Sequence, residues 1–170
     1  MLPVVSAEAE ILIHYLDQQR ESVLEIVDGL PEAALRRPVF PSGWTCLSLI
    51  HHLAVDDERY WFRGVAAGEP IEFPADEETT GWLVGPQVTA EQVFSLYQEE
   101  IARANAIIAV TALDALARRR DPRWDTSDWP GPEQPVDMRW IILHMIEETA
   151  RHAGHLDTAR ELLDGRTGLG

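Results

Sequence analysis

The run Trp140-Ile-Ile-Leu-His-Met-Ile-Glu-Glu-Thr-Ala-Arg-His-Ala-Gly-His-Leu-Asp157 decides how the chain is read. It reads as one helix, with His144, Glu148, His152 and His155 at i, i+4, i+8 and i+11. At ~100° per residue these four fall within ~80° of arc, on a single face. Glu148 and His152, one turn apart, can reach the same point in front of that face. Bundle helices present carboxylate and imidazole to a metal in this way. Two ligands do not hold a metal, so a third has to come from elsewhere in the chain.

Working outward, Asp137 caps this helix and Asp164-Gly165 ends it. Three further helical patterns precede it. The first starts at Ser6 as N-cap and carries Ile11, Leu12, Tyr15, Leu16, Val23, Ile26 and Val27 at helical spacing, until Gly29 and Pro31 close it. The second begins near Trp44 or Thr45 and ends about Ala67, before Gly68. Its inward stripe is Leu49, Leu53, Tyr60 or Trp61, and Val65, with Asp56, Asp57 and Arg63 elsewhere. The third opens with the capping box Thr89-Ala-Glu-Gln92 and continues to about Arg118, where Arg118-Arg-Arg120 suits a helix C-terminus. The expected fold is all-α, a four-helix bundle in one domain spanning residues 1–170, with two long connecting loops. The connection from Gly68 to Val88 is long enough to run the length of a helix, so the second and third helices are expected to lie parallel. It carries Phe73, Trp82 and a solvated Asp76-Glu77-Glu78 run. The second loop, Asp121 to Val136, carries Trp124, Asp125, Asp128 and Trp129.

Composition excludes several classes of function. The net charge is −15, and all 14 positive charges are arginines, so a phosphate-neutralising patch is hard to build and nucleic-acid binding is not expected. No apolar run approaches the ~18 residues that span a bilayer, and Met1-Leu-Pro-Val-Val-Ser6 lacks the basic and apolar regions of a secretory signal. With Cys46 as the one cysteine, no intrachain disulfide can form, and a cytoplasmic location is expected. Cys46 lacks any flanking signal of an activated nucleophile and reads as a core or cap residue, as does Trp44.

The third ligand has few sources. The remaining histidines are His14, which reads as a surface residue, and the adjacent His51 and His52 within the second helix. The latter two point ~100° apart, so only one can face a site fully. A histidine from this pair with Glu148 and His152 would make a two-histidine, one-glutamate set that leaves a coordination position open, the arrangement of catalytic zinc sites. The same spacing also serves ordinary helical salt bridges, so spacing alone leaves the site open.

Pro41-Ser-Gly-Trp-Thr-Cys-Leu-Ser-Leu-Ile-His-His-Leu-Ala54 with Glu58-Arg-Tyr-Trp-Phe62, and Met138-Arg-Trp140 through His155, resemble the DinB-like superfamily, specifically its DUF664 branch. The resemblance implies a four-helix bundle, often a homodimer, holding a divalent metal, commonly zinc or nickel, on three side chains. Carried over, the helix-two ligand is the histidine before Leu-Ala, His52, and the helix-four pair is Glu148 and His152. Glu-x-x-x-His at the latter place is similar to mycothiol-dependent maleylpyruvate isomerase and related thiol S-transferases. His144 and His155 then stand as supporting residues beside the ligands, orienting a ligand or moving a proton. The implied activity is transfer of a low-molecular-weight thiol, mycothiol or bacillithiol, to a small electrophile, or an isomerisation. A metal-dependent small-molecule hydrolase and a non-enzymatic metal- or ligand-binding bundle are the alternative readings. The tryptophans of the two loops, Trp82, Trp124 and Trp129, are candidates to wall the pocket.

Overall fold

The computed structural model describes residues 6–71, 81–119 and 136–168. The chain is mostly helical, and among the described residues the only β-type pairing is an isolated bridge between Leu116 and Asp137. In chain order the elements are α1 (Ala7–Val27), a one-turn α2 (Glu32–Leu35), α3 (Cys46–His52), which continues as a π-helix over Leu53–Ala66, α4 (Ala90–Val110) and α5 (Met138–Asp164). No helix among these residues is long and apolar enough to cross a membrane. Phe73, the Asp76-Glu77-Glu78 run, Arg120, Trp124, Asp125, Asp128 and Trp129 lie outside the described residues.

The helix starts follow local chemistry. Ser6 accepts from the Ala9 N–H, and Asp137 accepts from the Trp140 N–H. Thr45 with Ser48 and Thr89 with Gln92 form reciprocal capping boxes, each satisfying amides that have no partner within the first turn. At the other end of α1, Gly29 takes a φ of 73° to reverse the chain. There the Arg160 guanidinium reaches across from α5 and donates to the Ile26 and Asp28 carbonyls at 2.8 and 2.7 Å.

The helices run in two parallel pairs. One apolar cluster gathers Val23, Ile26 and Val27 of α1, Cys46 to Ala54 of α3 and the start of the π-helix, Val93 and Tyr97 of α4, and Ala153, Leu156 and Ala159 of α5. The other gathers Ala9 and Leu16, Tyr60 to Ala66, Ala104 and Ile108, and Met138 to Met145. Early residues of α3 and α4 thus share one end of the bundle with late residues of α1 and α5. The expected parallel course of the second and third long helices is met, and it requires the long 67–89 connection.

The third long helix is shorter than expected. It stops at Val110, not near Arg118; Thr111 folds its hydroxyl back to the Ile107 carbonyl at 2.7 Å, and Leu113 drops into the core. The backbone beyond is used elsewhere: the Arg118 and Arg119 amides donate to the Ala66 and Val65 carbonyls at 3.3 and 3.1 Å. These arginines therefore close the C-terminal end of the π-helix, whose last carbonyls would otherwise lack donors. That long-range pairing outweighs the helical propensity that carried the pattern to Arg118.

Buried charges cross-link the bundle at its middle. Arg20 of α1 donates to both Glu58 carboxylate oxygens at 2.7 Å, and its remaining nitrogen reaches Asp17 and Asn105 at 2.9 and 2.8 Å. Glu100 of α4 accepts from Arg59 and Arg63 of the π-helix. Between the two apolar clusters, α5 turns Glu148, Thr149 and His152 toward the π-helix, and the candidate site lies there.

Candidate metal centre

The site is built where α3 widens into the π-helix. In an α-helix, residues five apart point ~140° away from each other, whereas i→i+5 hydrogen bonding brings them onto one side. The Ala67 N–H donates to the Phe62 carbonyl, five residues back, at 2.9 Å. His52 and Asp57 stand in the same relation, with His52 Nε2 3.7 Å from Asp57 Oδ2. Ten of the fourteen residues in the π-helix are buried, Asp57 among them at 6% exposure. The sequence pattern put Asp57 away from the inward stripe; the wider helix turns it in.

The two adjacent histidines divide their tasks. His51 Nδ1 lies 2.6 Å from the Gly81 carbonyl; a carbonyl only accepts, so that nitrogen carries the proton. His52 Nδ1 donates to Asp56 Oδ2 at 2.7 Å, and the same oxygen accepts the Gly81 N–H at 2.8 Å. This fixes the His52 ring with Nε2 turned toward the cluster, the carboxylate–histidine arrangement that orients metal ligands. Gly81 approaches so closely that a Cβ there would lie 2.7 Å from both His52 Cα and Asp56 Oδ2. The loop so pinned lays Trp82 on the His52 ring, centroids 4.2 Å apart and planes 20° apart. Among the described residues Trp82 is thus the loop tryptophan that lies against the site.

From α5, the His152 ring meets the His52 ring edge-on, with centroids 5.2 Å apart. Glu148 Oε2 lies 3.7 Å from His152 Nε2, and its other oxygen accepts from Arg151 at 2.8 Å. Donor atoms of His52, Asp57 and His152 all lie within 4.8 Å of one another. Of the other histidines, His155 is exposed, 5.7 Å from the His152 ring and 6.3 Å from Trp44. His144 packs between Trp140 and Trp61, at 5.1 and 4.6 Å, beside the second apolar cluster. His14 is exposed, as expected.

Among the described residues His52, Asp57 and His152 form the group that could hold a metal ion, and Glu148 lies beside His152 outside that group. Asp57 Oδ2 and His152 Nδ1 are buried side-chain atoms without a hydrogen-bond partner among the described residues, a costly state for polar groups unless something else satisfies them. Burial pulls the His152 pKa down to about 4, with His52, His155 and Arg151 adding to the effect, so at neutral pH the ring is uncharged and able to ligate. Burial pushes Asp57 up to about 7, against the pull of His52 and reinforced by Glu148, Asp56 and Glu58. Without metal, the folded chain therefore binds a proton on Asp57 that the unfolded chain releases near its ordinary pKa of about 3.9. Stability carried by this group is present at low pH and is lost as pH rises to about 7. Relative to metal-free Asp57→Asn, the unchanged chain should lose stability progressively from about pH 4 to about pH 7 and hold a constant difference above. Urea denaturation at several pH values measures that difference.

Cys46 offers no nucleophile: it is 1% exposed, and burial pushes its thiol up to about 11.

The family model described as Mycothiol-S-transferase matches residues 11–165. No curated protein matches the chain closely.

Proposed function

The chain belongs to the Mycothiol-S-transferase family, within the DinB-like superfamily, and from that premise we propose that it transfers a low-molecular-weight thiol to a small electrophile at a metal centre held by His52, Glu148 and His152. The observation that carries the reading is the convergence of the His52 and His152 imidazoles from two helices, beside buried polar atoms that no described residue satisfies. A divalent cation there, zinc or nickel, supplies positive charge that favours the thiolate form of a thiol at neutral pH.

The protein's own groups prepare that site. Asp56 holds the His52 tautomer, and burial keeps His152 neutral. Arg151 holds one oxygen of Glu148 and leaves the other toward His152. Trp82 covers one face of His52 and excludes water from it. Because Cys46 is buried and protonated, the sulfur nucleophile is brought by the cosubstrate, mycothiol or bacillithiol. The thiol gives up its proton to solvent and its sulfur bonds to the electrophilic carbon; the electron pair displaced there leaves with the departing group, or stays on the adduct, which takes a proton back from solvent.

Metal-loaded protein with mycothiol and a panel of activated aryl halides, epoxides and enones tests this. Thioether formation that needs both protein and thiol is the expected result. Turnover without thiol would replace it with a hydrolase, and silence across the panel with metal bound would leave a binding protein.

A further inference from the structure

The carboxylates around the two imidazoles are not equivalent. Asp56 is committed to the His52 Nδ1–H and the Gly81 N–H. Glu58 has both oxygens on the Arg20 guanidinium at 2.7 Å. Glu148 has one oxygen on Arg151 and is 15% exposed at the side chain. Asp57 is 6% exposed, and its Oδ2, 3.7 Å from His52 Nε2, has no hydrogen-bond partner among the described residues. Among the described residues it is also the carboxylate that, with both imidazoles, brings one donor atom each within 4.8 Å of the others. The i→i+5 spacing of the π-helix is what puts it there, and π-helical turns are found frequently at functional sites.

We propose that Asp57 is itself a metal ligand, so that the centre presents two neutral imidazoles and two carboxylates, His52, Asp57, Glu148 and His152. This rests on the metal-centre reading above and changes its chemistry. Two carboxylates balance the full charge of a divalent cation. Four protein donors close a tetrahedral ion, so a site that also admits a cosubstrate requires an ion that accepts five or six ligands. Nickel or cobalt meets that requirement more readily than zinc, whose structural sites are closed at four.

The full-length chain, stripped of metal, is titrated with Ni²⁺ and with Co²⁺ against a competing chelator, for the unchanged protein, Asp57→Asn, Glu148→Gln and His52→Ala/His152→Ala. Asp57→Asn is expected to weaken binding about tenfold or more, since losing even a residue that only supports a ligand typically costs 10–100-fold. The metal-free Asp57→Asn protein should melt at or above the unchanged chain, because a buried carboxylate without a partner is removed, while the rise in Tm on adding metal shrinks. The Co²⁺ absorption of the unchanged protein should be the weak, five- or six-coordinate kind and shift in Asp57→Asn. Affinity within twofold of the unchanged chain, with the double histidine variant unable to bind, overturns the assignment of Asp57 and leaves the metal centre standing. Full affinity in the double histidine variant overturns both. Should Asp57→Asn bind weakly but also melt lower without metal, its Co²⁺ spectrum at saturation decides: a shifted band supports ligation, and an unchanged band assigns Asp57 a structural role and overturns the proposal.

Discussion

Arg20→Ala is expected to destabilise the protein by about 3–5 kcal/mol, because it leaves Glu58 as a lone carboxylate in the bundle centre. Arg20 and Glu58 are 2% and 1% exposed, and each guanidinium–carboxylate bond is 2.7 Å long. Water cannot take over the role of Arg20 without opening the contact between α1 and the π-helix. In a domain of this size ~1 kcal/mol shifts the melting temperature by about 2–4 °C, so a thermal melt should fall by about 6–20 °C. The double substitution Arg20→Met/Glu58→Leu is expected to recover most of that loss, since an apolar pair of similar volume carries no buried charge to satisfy. Equal losses in the single and double variants would mean that packing around Arg20, including its bonds to Asp17 and Asn105, matters more than the stranded charge.

His52→Ala/His152→Ala is expected to abolish metal retention. Two imidazoles from facing helices are the neutral donors of the centre, and without them only carboxylates crowd the space. Protein purified without chelator should carry stoichiometric metal when unchanged and background metal in the double variant, read by elemental analysis. The stabilisation that a ligand of the folded state confers should vanish with it, so added metal should no longer raise the melting temperature. His144→Ala serves as the contrast. Its ring sits between Trp61 and Trp140, and its loss should leave metal content unchanged. Normal metal content in the double histidine variant would remove the basis for the proposed chemistry.

The parts of this site that could be read from residue order are those made within one helix or by one cap. Glu148 and His152 are one turn apart on α5, and their common face follows from the 3.6-residue period alone. The starts at Ser6, Thr45, Thr89 and Asp137 follow from side chains that satisfy amides two or three residues on. The pairing of His52 with that face came from a motif resemblance, and the structure brings the two imidazoles to 5.2 Å.

Asp57 was not legible, because a helical period had to be assumed and the chain departs from it at Leu53. No residue type marks a π-helix; it persists because Arg118 and Arg119 close its end and because α4 and α5 pack around it. The same long-range pairing ended α4 at Val110 when its local pattern ran on. The division of His51 and His52 likewise depended on where Gly81 comes to lie, thirty residues further along the chain.

The opening stretch, Trp140 to Asp157, therefore determined by itself an α-helix with a ligating face, since one periodicity and one set of side chains suffice for that. Beyond His52, which the motif resemblance named, only the tertiary structure decided what stands opposite that face. A pinned glycine and a π-turned aspartate are placed by contacts between distant segments, and such contacts depend on how the helices pack rather than on the order of residues within any one of them.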